Sequence, residues 1–335
     1  MEKLLFSFLL AILFCSCTNT SIKQEVTSKE SKERSDAVTT NSNSTIPKRS
    51  LLLTSRDQGQ TWQDASYNLP ADLQVSFIEP IGEELVIASD NLGVFLSSNN
   101  KTSFREIGTT LPGKKINALY ISGTTIYVGV YQNGIYKSTD FGKNWDSLII
   151  NLPDYRVQAI LEFDGKLIVG TDSGIFISEK DRILWAPTSI KTQVVSLYEY
   201  DNKIVAGTSQ GSLLSQDGGV SWEWINKQGA VHYTHNIKER IWELYLSGGL
   251  SYSDDWGKTW LDVVYEPKVG SYIYELVQLD DVLLLSNNYG IHQSRDNGLT
   301  WNLIYPNEKV CFFDLVVIDN VIYGGTRLWD EFRGR

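Results

Sequence analysis

One eight-residue signature recurs along the chain and constrains its fold more than any other feature. The pattern is S-x-D-x-G-x-[TSN]-W, and complete copies span residues 55–62, 138–145, 215–222, 253–260 and 294–301. Altered copies stand at 97–104 and 178–185, where the spacing requires them. The third positions of all seven copies are 42, 41, 40, 37, 38 and 41 residues apart. The chain is therefore a series of equal units.

A repeat of about 40 residues is the length of one four-stranded propeller blade. Each unit holds short runs rich in Val, Ile, Tyr and Phe, bounded by Asp, Asn and Gly, as at 157–163, 166–171 and 174–178. Such runs are typical of strands, and no long helical periodicity interrupts them. We predict an all-β chain that forms a seven-bladed β-propeller of four-stranded antiparallel blades.

The two ends of the repeat region complete the blade count. Only the segment 50–54 precedes the first signature, so this unit has its third and fourth strands alone. Two strand-like runs at 311–318 and 321–326 follow the last complete unit without a signature. We predict that the N-terminal strands join the C-terminal blade and close the ring, which removes exposed sheet edges.

The signature has a structural explanation. Its Ser and Asp side chains can bind backbone N–H groups in a tight turn, and its Gly can adopt a positive φ. The Trp is then expected to pack between blades. The predicted structural residues are Asp57, Asp140, Asp217, Asp255, Asp296, Trp62, Trp145, Trp222, Trp260 and Trp301. Because the altered copies carry Asn99 and Lys180 in place of the acid, we predict no metal or other cofactor at these turns.

On these seven registered copies the chain resembles the Asp-box, or BNR-repeat, propellers over residues 50–326. That superfamily includes sialidases, xyloglucanases, sortilin-type receptors and the photosystem II assembly-factor propellers. The last group is the most similar in architecture, and the resemblance implies a scaffold role. The signature maintains the blade and does not specify chemistry.

The N-terminal region predicts export. Residues 4–14 form an apolar run placed like the core of a signal peptide and too short to span a bilayer. The sequence Phe14-Cys15-Ser16-Cys17 follows and is similar to a bacterial lipoprotein cleavage box. We predict a signal peptide over 1–17 with Cys17 as the lipidated residue, in the cell envelope; a secreted protein is the alternative.

Residues 18–49 contain almost no large apolar side chains, so they predict a disordered tether before a single propeller domain at 50–335. The whole chain carries a net charge of −10, and this tether holds six Lys or Arg against four Asp or Glu. Residues 1–17 are neutral, so the propeller carries −12. This charge disfavours nucleic acid and anionic lipid as partners, which leaves the lipid anchor as the membrane contact of a monomer.

Binding residues are expected at one mouth of the central channel, where the blade-to-blade loops and the loops after the second strands meet. A column of residues ahead of each first strand leads there: Gln74, Lys115, Arg156, Gln193, Ala230, Ser271 and Val310. The candidate binding residues are Lys115, Tyr155, Arg156, Gln193, His232 and Arg327. A polar and aromatic mouth suits a sugar, a carboxylate or a peptide; a solvated rim is the alternative.

The pair His232 and His235 has a spacing that suits metal binding on a helix. On a strand, residues i and i+3 point to opposite faces, so the sequence argues against a shared metal. His232 is expected in an inner-strand column with Ser76, Asn117, Gln158, Val195, Ile273 and Phe312, facing the channel.

Two functions from different classes remain open. The favoured one is a non-catalytic exported lipoprotein that binds a protein partner, or a glycan, as a scaffold; no catalytic residue is assigned. The alternative is a glycoside hydrolase of the sialidase type. Sialidases use an arginine triad and usually an Arg-Ile-Pro segment, and this chain lacks that segment and offers only Arg156 and Arg327 at suitable positions.

Overall fold

The computed structural model describes residues 50–98, 100–264, 272–306 and 310–328, with positions 182, 310, 311, 313 and 328 described by their backbone alone. The predicted signal peptide, Cys17 and tether lie outside this range, as does Asn99. The described chain forms seven four-stranded antiparallel sheets. This confirms the predicted seven-bladed propeller.

The strands follow in chain order and are short, as the repeat requires. The first two are β1 (Leu52–Ser55) and β2 (Gln63–Asp64). Blades 1 to 3 comprise β3 (Val75–Ile81), β4 (Glu84–Ser89), β5 (Val94–Ser98) and β6 (Ser103–Glu106); β7 (Ile116–Ser122), β8 (Thr125–Val130), β9 (Gly134–Ser138) and β10 (Asp146–Ser147); β11 (Val157–Phe163), β12 (Lys166–Thr171), β13 (Gly174–Glu179) and β14 (Arg182–Pro187). Blades 4 to 6 comprise β15 (Val194–Tyr200), β16 (Lys203–Thr208), β17 (Gly211–Ser215) and β18 (Glu223–Asn226); β19 (Val231–Ile237), β20 (Arg240–Tyr245), β21 (Leu250–Ser253) and β22 (Leu261–Asp262); β23 (Ile273–Leu279), β24 (Val282–Asn287), β25 (Gly290–Ser294) and β26 (Asn302–Pro306). The last two strands are β27 (Val310–Ile318) and β28 (Val321–Leu328).

The seventh blade is built from both ends of the described chain, as predicted. Its strand order is β2-β1-β28-β27, and Leu52 pairs with Gly325 while Ser55 pairs with Ile322. Thr326 adds a backbone bond to Leu51 and a side-chain bond to the carbonyl of Ser50. The ring is therefore closed by hydrogen bonds between segments that are far apart in sequence.

The core lies between blades. Seven clusters of buried apolar side chains occur in the described chain, one at each junction of neighbouring blades. In β4, Leu85 and Ile87 pack toward blade 7, whereas Val86 and Ala88 pack toward blade 2. Alternate side chains of a strand point to opposite faces, and both faces of these second strands are covered. This explains why they are continuously apolar.

The signature lies on the turn from the third to the fourth strand. In all five complete copies the Ser hydroxyl accepts a bond of 2.7–2.9 Å from the Gly N–H and donates one of 2.8–2.9 Å to the Asp carboxylate. The Asp accepts a further bond of 2.8–2.9 Å from the N–H of the seventh residue. These bonds lower the carboxyl pKa, to about 2 for Asp140 and Asp296. The carboxylate oxygens of these acids are therefore engaged in hydrogen bonds within the turn.

The signature Gly packs each complete turn against the preceding blade, and in two complete copies the Trp is also hydrogen-bonded to that blade; Trp62, Trp222 and Trp301 donate to the Gly carbonyl of their own turn. Trp145 Nε1 donates to the carbonyl of Ile107 at 2.8 Å, and Trp260 Nε1 donates to that of Ile225 at 3.0 Å. The Gly has a positive φ in each complete copy, and a side chain there would meet the neighbouring blade; at Gly298 a Cβ would lie 2.3 Å from the ring of Trp242. Glycine is therefore required for both conformation and packing.

The altered copy at 178–185 forms a different turn. Glu179 pairs directly with Arg182, so Lys180 and Asp181 make a two-residue hairpin loop. Leu184 N–H binds the Ser178 hydroxyl at 2.7 Å, and Lys180 pairs with Glu162 on the inner strand. The Trp of this copy keeps its link, because Trp185 Nε1 donates to the Leu148 carbonyl at 2.6 Å.

Candidate binding site at the channel mouth

The seven innermost strands surround a central channel with a cavity of about 1650 Å³. Its mouth is the end at which each inner strand begins and each second strand finishes. A bulge near the start of the inner strand occurs in every blade, as in β11, where the register shifts between Val157 and Ala159. A bulge redirects one side chain, so residues of this layer reach the channel.

The rim of the mouth is built from paired positions, one ahead of the inner strand and one after the second strand. Asp90 N–H donates to the Gln74 carbonyl at 3.0 Å, Tyr131 N–H to that of Lys115 at 2.9 Å, and Asp172 N–H to that of Arg156 at 3.3 Å. Each blade therefore presents two neighbouring side chains at the rim.

In the first three blades these pairs combine cations with acids. Lys115 Nζ lies 3.1 Å from Asp90 Oδ1, and Arg156 lies 3.0 Å from Asp154 and 3.2 Å from Asp172. The cations are the exposed partners: the Lys115 side chain is 39% exposed and that of Arg156 48%, against 15%, 7% and 18% for the three acids. A ligand arriving from solvent meets the positive groups first.

Arg156 is the most firmly held of these cations. Its Nε and Nη2 donate to the two oxygens of Asp154, which also accepts the backbone N–H of Arg156. These hydrogen bonds, followed by the attraction of Asp154 and Asp172, raise the pKa of Arg156. Asp172 in turn accepts 2.9 Å bonds from Gln158 and Gln193. The guanidinium is thus held in a fixed position before any ligand binds, by acids that are themselves hydrogen-bonded to the protein.

One aromatic side chain stands beside a rim cation. Lys115 Nζ lies 4.9 Å from the ring centroid of Tyr131, and Tyr131 and Tyr155 are 40% and 44% exposed. The backbone of Tyr155 accepts a bond from Gly134 in the neighbouring blade. The predicted binding residue Tyr155 is exposed but does not line the channel, so this corner of the mouth offers charge, hydrogen-bond donors and the aromatic face of Tyr131.

The other candidate residues occupy different depths. Gln193 lies at the rim through its bond to Asp172. Arg327 is 7% exposed and lies beneath the rim, where its Nε donates to the Val75 carbonyl at 2.9 Å and its Nη2 to the Ser76 hydroxyl at 2.6 Å. It also lies 4.0 Å from Asp90. Arg327 therefore stabilises the junction of blades 7 and 1 and also belongs to the candidate binding site.

His232 lies inside the channel, at the bulge of β19. Burial lowers its pKa to about 4, so the imidazole is neutral at pH 7. The bulge corrects the sequence argument about alternation: His232 and His235 both line the channel, and His235 Nε2 lies 2.8 Å from Glu275 of the next blade. In the described part of the chain, no three His, Cys, Asp or Glu residues are placed to hold a metal ion.

The predicted column is one residue out of register in the last two blades. Three strand pairs are equivalent because each directly precedes the bulge of its own blade: Val157 with Thr171, Ile273 with Asn287, and Phe312 with Thr326. Tyr272 and Cys311, rather than Ser271 and Val310, therefore occupy the rim positions. Likewise Tyr274, and not Ile273, corresponds to His232. The number of residues between the signature and the next inner strand varies from blade to blade, and that displaced the alignment.

Sequence reasoning missed the carboxyl groups that line the channel below the rim, among them Glu79, Glu275 and Asp314. These three come from blades 1, 6 and 7, which are neighbours in the closed ring. Burial, and then repulsion by Glu275, raises the pKa of Glu79 to about 7. Burial and the same acids raise the pKa of Asp314 well above its usual value. The sequence did carry a signal for the acids at the rim, because Asp90 and Asp172 directly follow second strands. The inner acids face the channel only because of the bulge.

No protein-family model matches the sequence, and no curated protein matches it significantly. Solved structures share the fold. The extracellular domain of a one-component system from B. thetaiotaomicron is 15% identical with a TM-score of 0.65, over 78% of this chain and 38% of that one. YCF48 from Cyanidioschyzon merolae is 17% identical with a TM-score of 0.62, over 77% of this chain and 97% of that one. An ancestral GH74 enzyme is 15% identical with a TM-score of 0.57, over 76% and 40%.

These similarities establish the propeller architecture. Among similar structures, YCF48 has also been solved with a D1 peptide bound, at 15% identity and a TM-score of 0.62 over 76% of this chain and 92% of that one. The chain spans well under half of the B. thetaiotaomicron domain. No helix among the described residues has the length and apolar character needed to cross a membrane.

Proposed function

We propose that this chain is a non-catalytic, exported lipoprotein whose propeller binds a protein partner at the channel mouth in the cell envelope. The observation that carries the proposal is the arrangement of exposed Lys115 and Arg156 above the mostly buried Asp90, Asp154 and Asp172. Fixed cations of this kind lose little conformational freedom when a ligand binds. The exposed ring of Tyr131 beside Lys115 supplies contact area of the kind that interface hot spots use.

The export part of the proposal rests on residues 1–17 and on the similar extracellular domains. Lipidation at Cys17 would hold the propeller at a membrane through the 18–49 segment. The proposed partner is a protein rather than a nucleic acid because residues 50–335 carry a net charge of −12, which repels phosphates.

Cross-linking of the lipidated protein in intact envelopes, with mass spectrometry of captured proteins, tests the proposal. The variant carries Lys115→Glu and Arg156→Glu. The matched control carries Lys143→Glu and Lys258→Glu, two exposed lysines on the signature turns at the opposite end of the channel. We expect one stoichiometric partner that is lost in the mouth variant and retained in the control. Equal capture by both variants, or no specific partner, would contradict the proposal.

A second candidate function is glycoside hydrolysis, and the channel carboxyls Glu79, Glu275 and Asp314 favour it. A carboxyl whose pKa is near 7, as at Glu79, can act as a general acid. Assays for sugar release from sialosides and polysaccharides test this function. Activity abolished by Glu79→Gln would support it; no release from any substrate would remove it.

A further inference from the structure

Two arginines at opposite ends of the channel are held by their carboxylates in the same way. Arg156 Nε and Nη2 donate to the two oxygens of Asp154 at 3.0 and 3.3 Å. Arg240 Nε and Nη2 donate to the two oxygens of Asp254 at 2.7 and 3.1 Å. In both cases the acid occupies one edge of the guanidinium plane, which leaves the flat faces of the group for other contacts.

The chain itself covers the flat face of Arg240. Its Cζ lies 3.7 Å from the ring centroid of Tyr252, and its Nη1 donates to the Asn297 carbonyl at 2.8 Å. The Arg240 side chain is only 11% exposed. An aromatic ring on a guanidinium face is a favourable contact, because the cation is attracted to the π electrons and both surfaces are flat.

The guanidinium of Arg156 is open to solvent, since this side chain is 48% exposed. Its three nitrogens already face acids: Nε and Nη2 donate to Asp154, and Nη1 lies 3.2 Å from Asp172. A carboxylate from a ligand would have to share nitrogens that already contact an acid. A planar ring needs only the open face.

The ion pairs at the rim also balance in formal charge. Three cations face three acids, namely Lys115, Arg156 and Arg327 against Asp90, Asp154 and Asp172. A ligand carboxylate is attracted by the cations and repelled by the acids beneath them, so its net gain is small. Asp172 accepts 2.9 Å bonds from Gln158 and Gln193, so sugar hydroxyls would compete for an acceptor that is already engaged.

Tyr131 provides an aromatic surface beside Arg156. Its ring is 40% exposed, both residues line the channel, and the two interact electrostatically. The Asn133 amide donates to the Tyr131 carbonyl at 2.8 Å. The Gly134 N–H donates to the Tyr155 carbonyl at 3.1 Å, which ties the loop of Tyr131 to the segment that leads to Arg156. The ring and the guanidinium are therefore held together at one corner of the mouth.

We infer that the mouth recognises an aromatic side chain of the protein partner, which lies on the guanidinium face of Arg156 as Tyr252 lies on Arg240. The edge of the bound ring then contacts Tyr131. Tryptophan fits best, because its ring gives the strongest cation–π attraction, and it is enriched among interface hot spots. That the ring belongs to a protein partner rests on the proposed function; the ring-binding property of Arg156 does not.

Saturation-transfer difference NMR of the full chain with three small probes tests this recognition. The probes are N-acetyl-tryptophanamide, N-acetyl-aspartate and methyl β-glucoside, which supply a ring, a carboxylate and a sugar. We expect saturation of the indole protons that falls several-fold in Arg156→Lys, which keeps the charge and loses the flat face. The matched control is Arg105→Lys, at an exposed arginine of the outer strand β6, and it should leave the signal unchanged.

Three results would overturn the inference. They are no indole signal, an indole signal that Arg156→Lys leaves unchanged, and a stronger signal from the carboxylate or the sugar that depends on Arg156.

Partner capture from envelopes separates this inference from the proposed function. Arg156→Lys should reduce capture several-fold, and Arg105→Lys should not. If Lys115→Glu with Arg156→Glu loses the partner while Arg156→Lys retains it in full, the mouth is the partner site and ring recognition is wrong. If the indole probe binds through Arg156 while no variant captures a partner, ring recognition stands and the proposed function fails.

Discussion

The carboxylate of Asp314 accepts a 2.6 Å hydrogen bond from the backbone N–H of Ile78, which lies 236 residues earlier in the chain. This bond crosses the junction between the last blade and the first. Ile78 is buried, so its N–H has no access to solvent. The ring is thus closed by a polar contact inside the channel as well as by the β1 and β28 pairing.

Replacement of Asp314 should weaken this junction. Asp314→Ala leaves a buried donor without its acceptor, which costs about 1–3 kcal/mol of unfolding free energy. Asp314→Asn keeps an acceptor oxygen and removes repulsion with Glu275 and Glu79, so we expect it to be less destabilising. Denaturant unfolding of both variants at pH 7 measures the difference. Equal loss in the two variants would show that the hydrogen bond is not the source.

The channel carboxyls should make stability depend on pH. Because burial and Glu275 raise the pKa of Glu79 from 4.5 to about 7, the folded protein binds this proton more tightly than the unfolded chain does. Its contribution to stability therefore falls as pH rises from about 4.5 to 7 and is constant above that range. Asp314 acts in the same direction.

Melting temperatures of the parent and of Glu79→Gln between pH 5 and pH 8 check this dependence. The stability of Glu79→Gln should fall less than that of the parent as the pH rises. At pH 8 the variant should be more stable than the parent by about 1–3 kcal/mol. Parallel curves for the two proteins would contradict the assignment.

Gly298 tests the link between the signature and its neighbouring blade. An alanine there needs a positive φ and places Cβ 2.3 Å from the buried Trp242 ring; we expect a loss of about 2–4 kcal/mol. Gly165→Ala is the matched control, because Gly165 has a similar φ and no atom within 4 Å of an added Cβ. The control should lose only about 1 kcal/mol. A similar loss in both variants would assign the effect to backbone strain alone.

Removal of residues 50–66 tests the closure of the ring. This deletion takes away β1 and β2 together with Trp62, whose ring lies 4.5 Å from that of Phe312. We expect a large fall in melting temperature and an exposed edge on β28. A deletion of 18–49 is the control and should leave melting unchanged. A 50–66 deletion that melts like the parent would contradict the closure.

The fold was predictable because its determinants are local and repeated. The Ser, Asp, Gly and Trp of each signature fix one turn, and their spacing counts the blades. The site was predictable only in part. Lys115 and Arg156 precede regular inner strands and could be found from the repeat. Their counter-ions Asp90 and Asp172 follow second strands, so the ion pairs can be predicted only when the register between the strands is known. Glu79 and Asp314 reach one channel because a bulge shifts alternation, and a bulge has no clear signal in a single sequence.

Arg327 carries the last prediction, because it joins three groups of the first blade from a position that is 7% exposed. It donates to the Val75 carbonyl and the Ser76 hydroxyl and lies near Asp90. Arg327→Met leaves these acceptors without a cation, for a loss of about 2–4 kcal/mol. Arg327→Lys keeps the charge but lacks the planar fork, so it should recover only part of that loss. Lys115→Met, at the exposed side of the same carboxylate, should cost less than about 1 kcal/mol. Urea unfolding of the three variants ranks them, and Arg327→Met that unfolds like Lys115→Met would show that the buried contacts do not hold the junction.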